Sequence, residues 1–284
     1  MAAAFTLPAA LFTAAITIPI IAPDIVHERG DPAGPGGPYS ASPDSFFASP
    51  GPENSSHFGL TSVSLSNIEI PLPMVLNIPI MCGRYKLTTD RKNLKSHFPW
   101  LDEGDYFDIH GPIERGEVFP GTFIPVINAQ RMLEDDWWTI RDTGWNGKPV
   151  AAINAKAETI SRLPMFREAF KKGRVLIPAS GLYEWQVQPD GSKKKFEIGF
   201  GDGLFAFAGI ARECEIKGEP TRCTVIITTS PNEIFREIHN TKMRQAVVIR
   251  PEDHEKWLDP QTKPDDLKAM MEPLPASETR FREV

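Results

Sequence analysis

Residues 174–200 read "RVLIPASGLYEWQVQPDGSKKKFEIGF". The apolar run "RVLIPA" is short, bounded by glycine and serine, and predicts a buried strand. "LYEWQVQ" and "KKFEIGF" alternate more and flank "PDGS", a strong hairpin signal. Three consecutive strands with a tight turn between the second and third predict a mostly antiparallel sheet. Outward from this stretch, "LFAFAGI", "CTVIITT" and "AVVIR" add strand-like runs. The helical patterns are short and dispersed. "TTDRKNLKSHF" offers Thr89 or Asp90 as N-cap. "MFREAFKKG" ends with Lys171, Lys172 and Gly173, the usual C-terminal order. "PNEIFREIH" has Pro231 suited to a first turn, and "PEDHEKWLD" follows Pro251. "GEVFPGTFIPVI" reads as loop and edge strand because of its prolines. The expected fold is α+β, a mostly antiparallel sheet or barrel-like core with short peripheral helices. No internal repeat is visible.

Composition bounds the function. The 284 residues are 41% hydrophobic and 24% charged, as in an ordinary soluble protein. The net charge of -6 excludes a bulk polycation, so nucleic-acid binding would need a local basic groove. Cys82, Cys214 and Cys223 are an odd, sparse set, which argues for a reducing compartment, cytoplasmic or nuclear, and against a disulfide framework. No CxxC and no HExxH occurs, and the six histidines are scattered, so no metal and no cofactor is expected.

Residues 1–80 differ from the rest. "MAAAFTLPAALFTAAITIPIIAP" lacks the basic residues that open a signal peptide, and Pro8, Pro19 and Pro23 interrupt it as a membrane span. "GDPAGPGGPYSASPDSFFASPGPENSS" has a disordered composition. A disordered leader, a targeting segment and a start placed too far upstream compete. The last is favoured, with the working protein starting at Met81 and a single domain over 81–284.

The chemistry carries that preference. Trimming Met81 would leave Cys82 with a free α-amine and a thiol on adjacent carbons. A 1,2-aminothiol condenses with aldehydes to a thiazolidine, which an internal cysteine cannot do. On spacing alone, a buried free cysteine is the commoner reading. In "PVAAINAKAETI", Asn154 and Glu158 follow an apolar strand, and Asn154 has donors for a carbonyl or its oxyanion. A turn or cap role is the plainer reading of Asn154. In "IPASGLYEWQ", Glu184 stands between Tyr183 and Trp185, where desolvation would raise its pKa for proton shuttling. A solvent-facing position on an alternating strand is equally compatible. His239 ends a helix in "FREIHNTKMRQAVVI", which alone suggests a C-cap.

Taken in order, "MCGRY", "INAKAET", "FREAFKKGRVLIPASGLYEW", "TRCTVIITTSPNE" and "IHNTKMRQAVVI" resemble the SRAP (SOS response-associated peptidase) family from Met81 to about Asp259. The resemblance implies binding of single-stranded DNA and a covalent thiazolidine crosslink to abasic sites through the N-terminal Cys82, shielding the lesion. It implies that Asn154 positions the cysteine and a sugar oxygen, that Glu184 moves protons, and that His239 assists ring opening and crosslink reversal. It also implies self-cleavage where residues precede the cysteine. Arg84, Lys156, Arg162, Arg174 and Trp185 are the expected DNA contacts, with Lys171 and Lys172 nearby. The implied partner is single-stranded DNA carrying abasic sites, bound by a monomer without a membrane. Lys156 stands where the family usually has arginine, which keeps the charge but loses bidentate phosphate binding. "KKK" at 193–195 reads as a solubilised hairpin. The tail "PLPASETRFREV" is shorter than usual and suggests missing closing strands. The alternatives are a thiol peptidase using Cys82 and a non-enzymatic single-strand-binding module in which Cys82 is merely buried.

Overall fold

The structure, a computed structural model, describes residues 82–284 apart from Trp145 and Asp202; the expected leader at 1–80 lies outside the described residues. In chain order, β1 (Tyr85–Thr89), α1 (Arg91–His97) and α2 (Tyr106–His110) lead into β2 (Ile113–Val118), β3 (Phe123–Ile127) and β4 (Leu133–Trp138). A small hairpin of β5 (Ile140–Thr143) and β6 (Pro149–Ala152) precedes β7 (Asn154–Lys156) and α3 (Pro164–Lys172). Next come β8 (Arg174–Ala179), β9 (Gly181–Val187), β10 (Lys193–Phe200), β11 (Phe205–Ile216) and β12 (Glu219–Thr229). The chain ends with α4 (Glu233–Ile238), β13 (Gln245–Ala246), β14 (Val248–Ile249), α5 (His254–Leu258), α6 (Pro264–Met270) and β15 (Thr279–Glu283).

Strands β12, β4, β3, β8 and β11 pair in sequence, and β11 pairs back onto β12, closing a barrel. All of these pairings are antiparallel except β4–β12, where Cys223 lies opposite Trp137. Closure turns one face of β8 to the barrel interior, and α5, β1 and α3 also contact the strand, so every residue of β8 is buried. Gly209 is required at the β8–β11 contact, since a Cβ there would lie 2.8 Å from the Ile177 side chain. Trp138 and Trp257, both fully buried, satisfy their indole N–H groups on the carbonyls of Ile153 and Val175, each at 3.0 Å. The second sheet runs β15–β10–β9–β1–β2.

The α+β, largely antiparallel expectation therefore holds, and several local readings hold with it. Asp90 caps α1 by accepting from the Asn93 amide at 2.7 Å. The β9–β10 turn is closed by Asp190 accepting from the Ser192 amide, with Gly191 at φ +83°. Gly173 ends α3, but not through a left-handed conformation; a Cβ would sit 2.2 Å from the Ala211 carbonyl.

Other readings are corrected. β3 is a barrel strand rather than an edge strand. It pairs with β4 from Phe123 to Ile127 but with β8 only at Ile127, and that sparse ladder accommodates Pro125, which has no N–H to contribute. Pro231 precedes α4 rather than lying in its first turn; Asn232 is the cap, its side chain accepting from the Phe235 amide at 3.0 Å. The "AVVIR" run splits at Val247, whose amide donates to Ile227 while its carbonyl accepts from Ala208. The short tail supplies an edge strand, β15, which pairs with β10 from Phe196 to Phe200.

Candidate functional site

Three elements deliver three reactive side chains to one point. β1 pairs antiparallel with β9 at Tyr85–Leu182 and Lys86–Gly181, and the Tyr183 amide donates to the Arg84 carbonyl. Continuing that register brings Cys82, just before β1, beside Glu184 in the middle of β9. α4 packs on β9 and is pinned there by two clamps. Gln186 donates to the Glu237 carbonyl at 3.2 Å, and Asn240 both donates to and accepts from the main chain of Val187. The clamps fix the helix end, and His239, its C-cap, points back at Glu184. The Cys82 sulfur, a Glu184 oxygen and a His239 ring nitrogen all lie within 4.8 Å of one another, and all three residues are buried.

The electrostatics of this cluster are those of buried, desolvated groups. Burial pushes the Glu184 carboxyl up to about 8, opposed by hydrogen bonds from the Cys82 thiol and main-chain N–H. Glu184 Oε1 is buried without any hydrogen-bond partner. Burial also pushes the Cys82 thiol well above its ordinary value, with the nearby Glu184 adding to the rise and the Arg244 guanidinium opposing it. The His239 pKa is lowered by burial. Its Nδ1 sits 2.8 Å from the Arg244 carbonyl, so Nδ1 carries the proton and the Nε2 lone pair faces Glu184 Oε2, 3.6 Å away. The Cys82 backbone is left-handed, with φ +45° in a residue that has a Cβ.

The cluster forms the floor of an open cleft of about 440 Å³. Gly83, Arg84, Phe119, Pro120, Trp185, Lys193, Thr241 and Lys242 also line it. Arg84 is sandwiched between aromatic faces, 4.7 Å from the Phe119 ring centre and 4.8 Å from that of Trp185, and pairs with Glu117 at 3.3 Å. Phe119 stays 42% exposed, a large flat apolar surface at the rim.

The structure thus brings together Cys82, Glu184, His239, Arg84 and Trp185 at one cleft, and the other expected site residues are not among those that line it. Asn154 is not among the cleft-lining residues. It opens β7, its Nδ2 reaches the Ile226 carbonyl at 3.5 Å, and its Oδ1 is buried without a donor. Lys156 and Arg162 are exposed in and after β7, with Arg162 donating to the Glu158 carbonyl at 3.1 Å. Arg174 corrects the sequence reading. It is buried, and it donates to the carbonyls of Trp257, Phe170, Lys171 and Asp259, so its guanidinium is used inside the fold and is closed to phosphate. Lys171 pairs with Glu168 on the surface. The 193–195 lysines divide: Lys193 lines the cleft, while Lys195 lies 4.0 Å over the Tyr183 ring and pairs with Glu117.

Sequence reasoning passed over Phe119, Pro120 and Lys242, although an aromatic before a Pro-Gly turn was a visible cue. It also passed over Arg244. That side chain makes a bidentate pair with Glu158 at 2.6 and 2.8 Å and donates to the Thr228 carbonyl, holding the turn that orients His239.

Comparison with known proteins adds to this geometry. The family model described as SOS response associated peptidase (SRAP) matches residues 81–284. The chain is 31% identical over 211 residues to abasic site processing protein YoqW of Bacillus subtilis, covering 72% of this chain and 92% of that protein. It is 28% identical over 182 residues to abasic site processing protein YedK of Escherichia coli, covering 63% and 79%. A crystal structure of a Bacteroides thetaiotaomicron protein superposes with a TM-score of 0.62 at 24% identity, covering 72% of this chain and 92% of the other, a likeness of fold.

Proposed function

The chain belongs to the SOS response associated peptidase (SRAP) family, and on that basis we propose that it binds single-stranded DNA in the Cys82 cleft and captures abasic sites covalently. The working polypeptide in this proposal is 81–284, trimmed so that Cys82 is its first residue. One observation carries the reading. The Cys82 sulfur, the Glu184 carboxyl and the His239 ring meet at a cleft floor, and the Cys82 main-chain nitrogen hydrogen-bonds to Glu184. That nitrogen is the atom that becomes the amine.

The chemistry follows from the protonation states. The open-chain abasic sugar presents an aldehyde. The Cys82 amine adds to the carbonyl carbon and gives a carbinolamine. Glu184, still protonated at neutral pH with its pKa near 8, hands its proton to the departing hydroxyl. Water leaves and an iminium forms, its nitrogen keeping one hydrogen. The Glu184 carboxylate then takes the thiol proton as sulfur adds to the iminium carbon, the C=N electron pair returns to nitrogen, and the ring closes. The net change is aldehyde plus aminothiol to thiazolidine plus water. A single buried carboxyl serves both steps because its pKa lies close to the working pH. His239, neutral and with Nε2 toward Glu184, is proposed to assist sugar-ring opening and reversal. Asn154 is proposed to position Cys82 and a sugar oxygen, its buried Oδ1 being the acceptor available for that. Arg84, Trp185, Phe119 and Lys193 are proposed to hold bases and phosphates, with Lys156 and Arg162 extending the phosphate track.

The test uses protein initiated at Met81 and single-stranded DNA carrying one abasic site. A heat-stable adduct that disappears in Cys82→Ala is expected. No adduct, or an equal adduct with Cys82→Ala, overturns the proposal. A second reading, self-cleavage ahead of Cys82, is favoured by the left-handed backbone at that residue beside a thiol and a carboxyl. Intact mass of the full chain after incubation should show loss of residues 1–81; an uncut chain argues against it.

A further inference from the structure

We propose that Cys82, Glu184 and His239 form a binding site for a thiophilic divalent cation of the Zn²⁺ class, and that its occupancy blocks the carbonyl chemistry of the cleft. The site is invisible to local spacing because its donors come from the start of the described chain, the middle of β9 and the end of α4. In space they offer sulfur, carboxylate oxygen and imidazole nitrogen within 4.8 Å of one another. With Zn–N and Zn–O bonds of about 2.0–2.2 Å, tetrahedral ligand atoms sit roughly 3.4 Å apart. The His239–Glu184 separation of 3.6 Å is close to that spacing and too long for a hydrogen bond between them.

Two further observations point to a ligand. Glu184 Oε1 is buried in a residue only 4% exposed and has no hydrogen-bond partner, an orphan acceptor that a cation would satisfy. The Nδ1–H of His239 is committed to the Arg244 carbonyl, which fixes the tautomer that presents Nε2 as a lone pair, the usual outer contact of a metal-binding histidine. The cleft leaves the fourth position open to water or to the Cys82 nitrogen, which with the sulfur closes a five-membered chelate once it is a free amine. Binding releases the thiol proton, and the carboxyl proton where present, to solvent. A thiolate and a carboxylate together balance the charge of the dication, which makes the buried set neutral. The inhibitory consequence rests on the crosslinking reading; the binding does not.

The experiment titrates the full-length chain with Co²⁺ under reducing, anaerobic conditions, then displaces it with Zn²⁺. A near-ultraviolet sulfur-to-cobalt band saturating at one equivalent is expected. It should be absent in Cys82→Ala, unchanged in Cys214→Ser, and His239→Gln should weaken Zn²⁺ at least about tenfold. Near-native unfolding curves for the variants keep these losses interpretable. No stoichiometric band, or a band that survives Cys82→Ala, overturns the site. In a parallel arm with protein initiated at Met81, Zn²⁺ should suppress the abasic-DNA adduct and a chelator should restore it. Binding without suppression removes the inhibitory consequence. No adduct in chelator, with cobalt binding intact, counts against the crosslinking function and leaves the metal site standing.

Discussion

Glu184 and Asp136 are both buried carboxylates raised by desolvation, to about 8 and about 7, and each has oxygen without an aligned donor. Asp136 lies on β4 in the barrel wall. Arg222 Nε is 3.0 Å from its Oδ1 but shared with Glu134 and off the hydrogen-bond direction. Glu184 lies on β9 beneath an open cleft, against a thiol and an imidazole. A perturbed pKa alone therefore does not mark a site. Desolvation supplies the perturbation in both places. Of the two, Glu184 alone joins a thiol and an imidazole to an open approach for substrate.

The contrast is tested most directly by removing each charge. Glu184→Gln is expected to slow adduct formation by about 10²–10⁴-fold, the usual contribution of a positioned general acid–base. Asp136→Asn should leave the adduct rate within about twofold. A gel time course on abasic single-stranded DNA reads both, and equal losses would erase the distinction.

The second test concerns stability against pH. A carboxyl near 7 in the fold and near 3.8 when unfolded holds its proton more tightly in the native state. Its contribution is therefore fully present below about pH 4 and is lost as pH rises to about 7, by up to about 4 kcal/mol. Denaturant unfolding of wild type and Asp136→Asn at pH 4.5 and 8 should show the variant gaining relative stability at the higher pH. A pH-independent difference would mean that Arg222 holds Asp136 ionised throughout.

Effects at the rim should be smaller and confined to binding. Trp185→Ala is expected to weaken single-stranded DNA binding by about 1–3 kcal/mol, since a stacking face is removed. Lys193→Ala should lower affinity less and flatten its salt dependence, with a slope change of about 0.7 for each phosphate no longer neutralised. Fluorescence anisotropy over a salt series separates the two. A Lys193 effect without salt dependence would remove it from the phosphate track.

How much of this was legible depended on range. The β8–β9–β10 run, the Asp90 cap and the Gly191 turn were readable because propensity and turn chemistry act over a few residues. The parallel β4–β12 pairing that closes the barrel was not, because no local pattern encodes which distant strands meet. Pro125 misled for the same reason, as its tolerance depends on a neighbour that leaves the ladder sparse. At the site, the sequence left Glu184 open between a desolvated place among aromatics and the solvent face of an alternating strand, and its burial decides for the first. The meeting of Cys82 with His239 came from family resemblance, not from spacing. Arg174 failed because charge in a sequence does not say whether a guanidinium faces water or four carbonyl oxygens.

The left-handed turn at Cys82 also bears on how a new chain end would settle. A backbone torsion needs four bonded atoms, and this one runs through the carbonyl of Met81. Once Met81 is gone the angle no longer exists, and neither does its steric cost of about 1–2 kcal/mol. In the proposed processing, loss of the preceding residue would relieve that cost, and the new terminus would be held through Glu184 and the strand behind it.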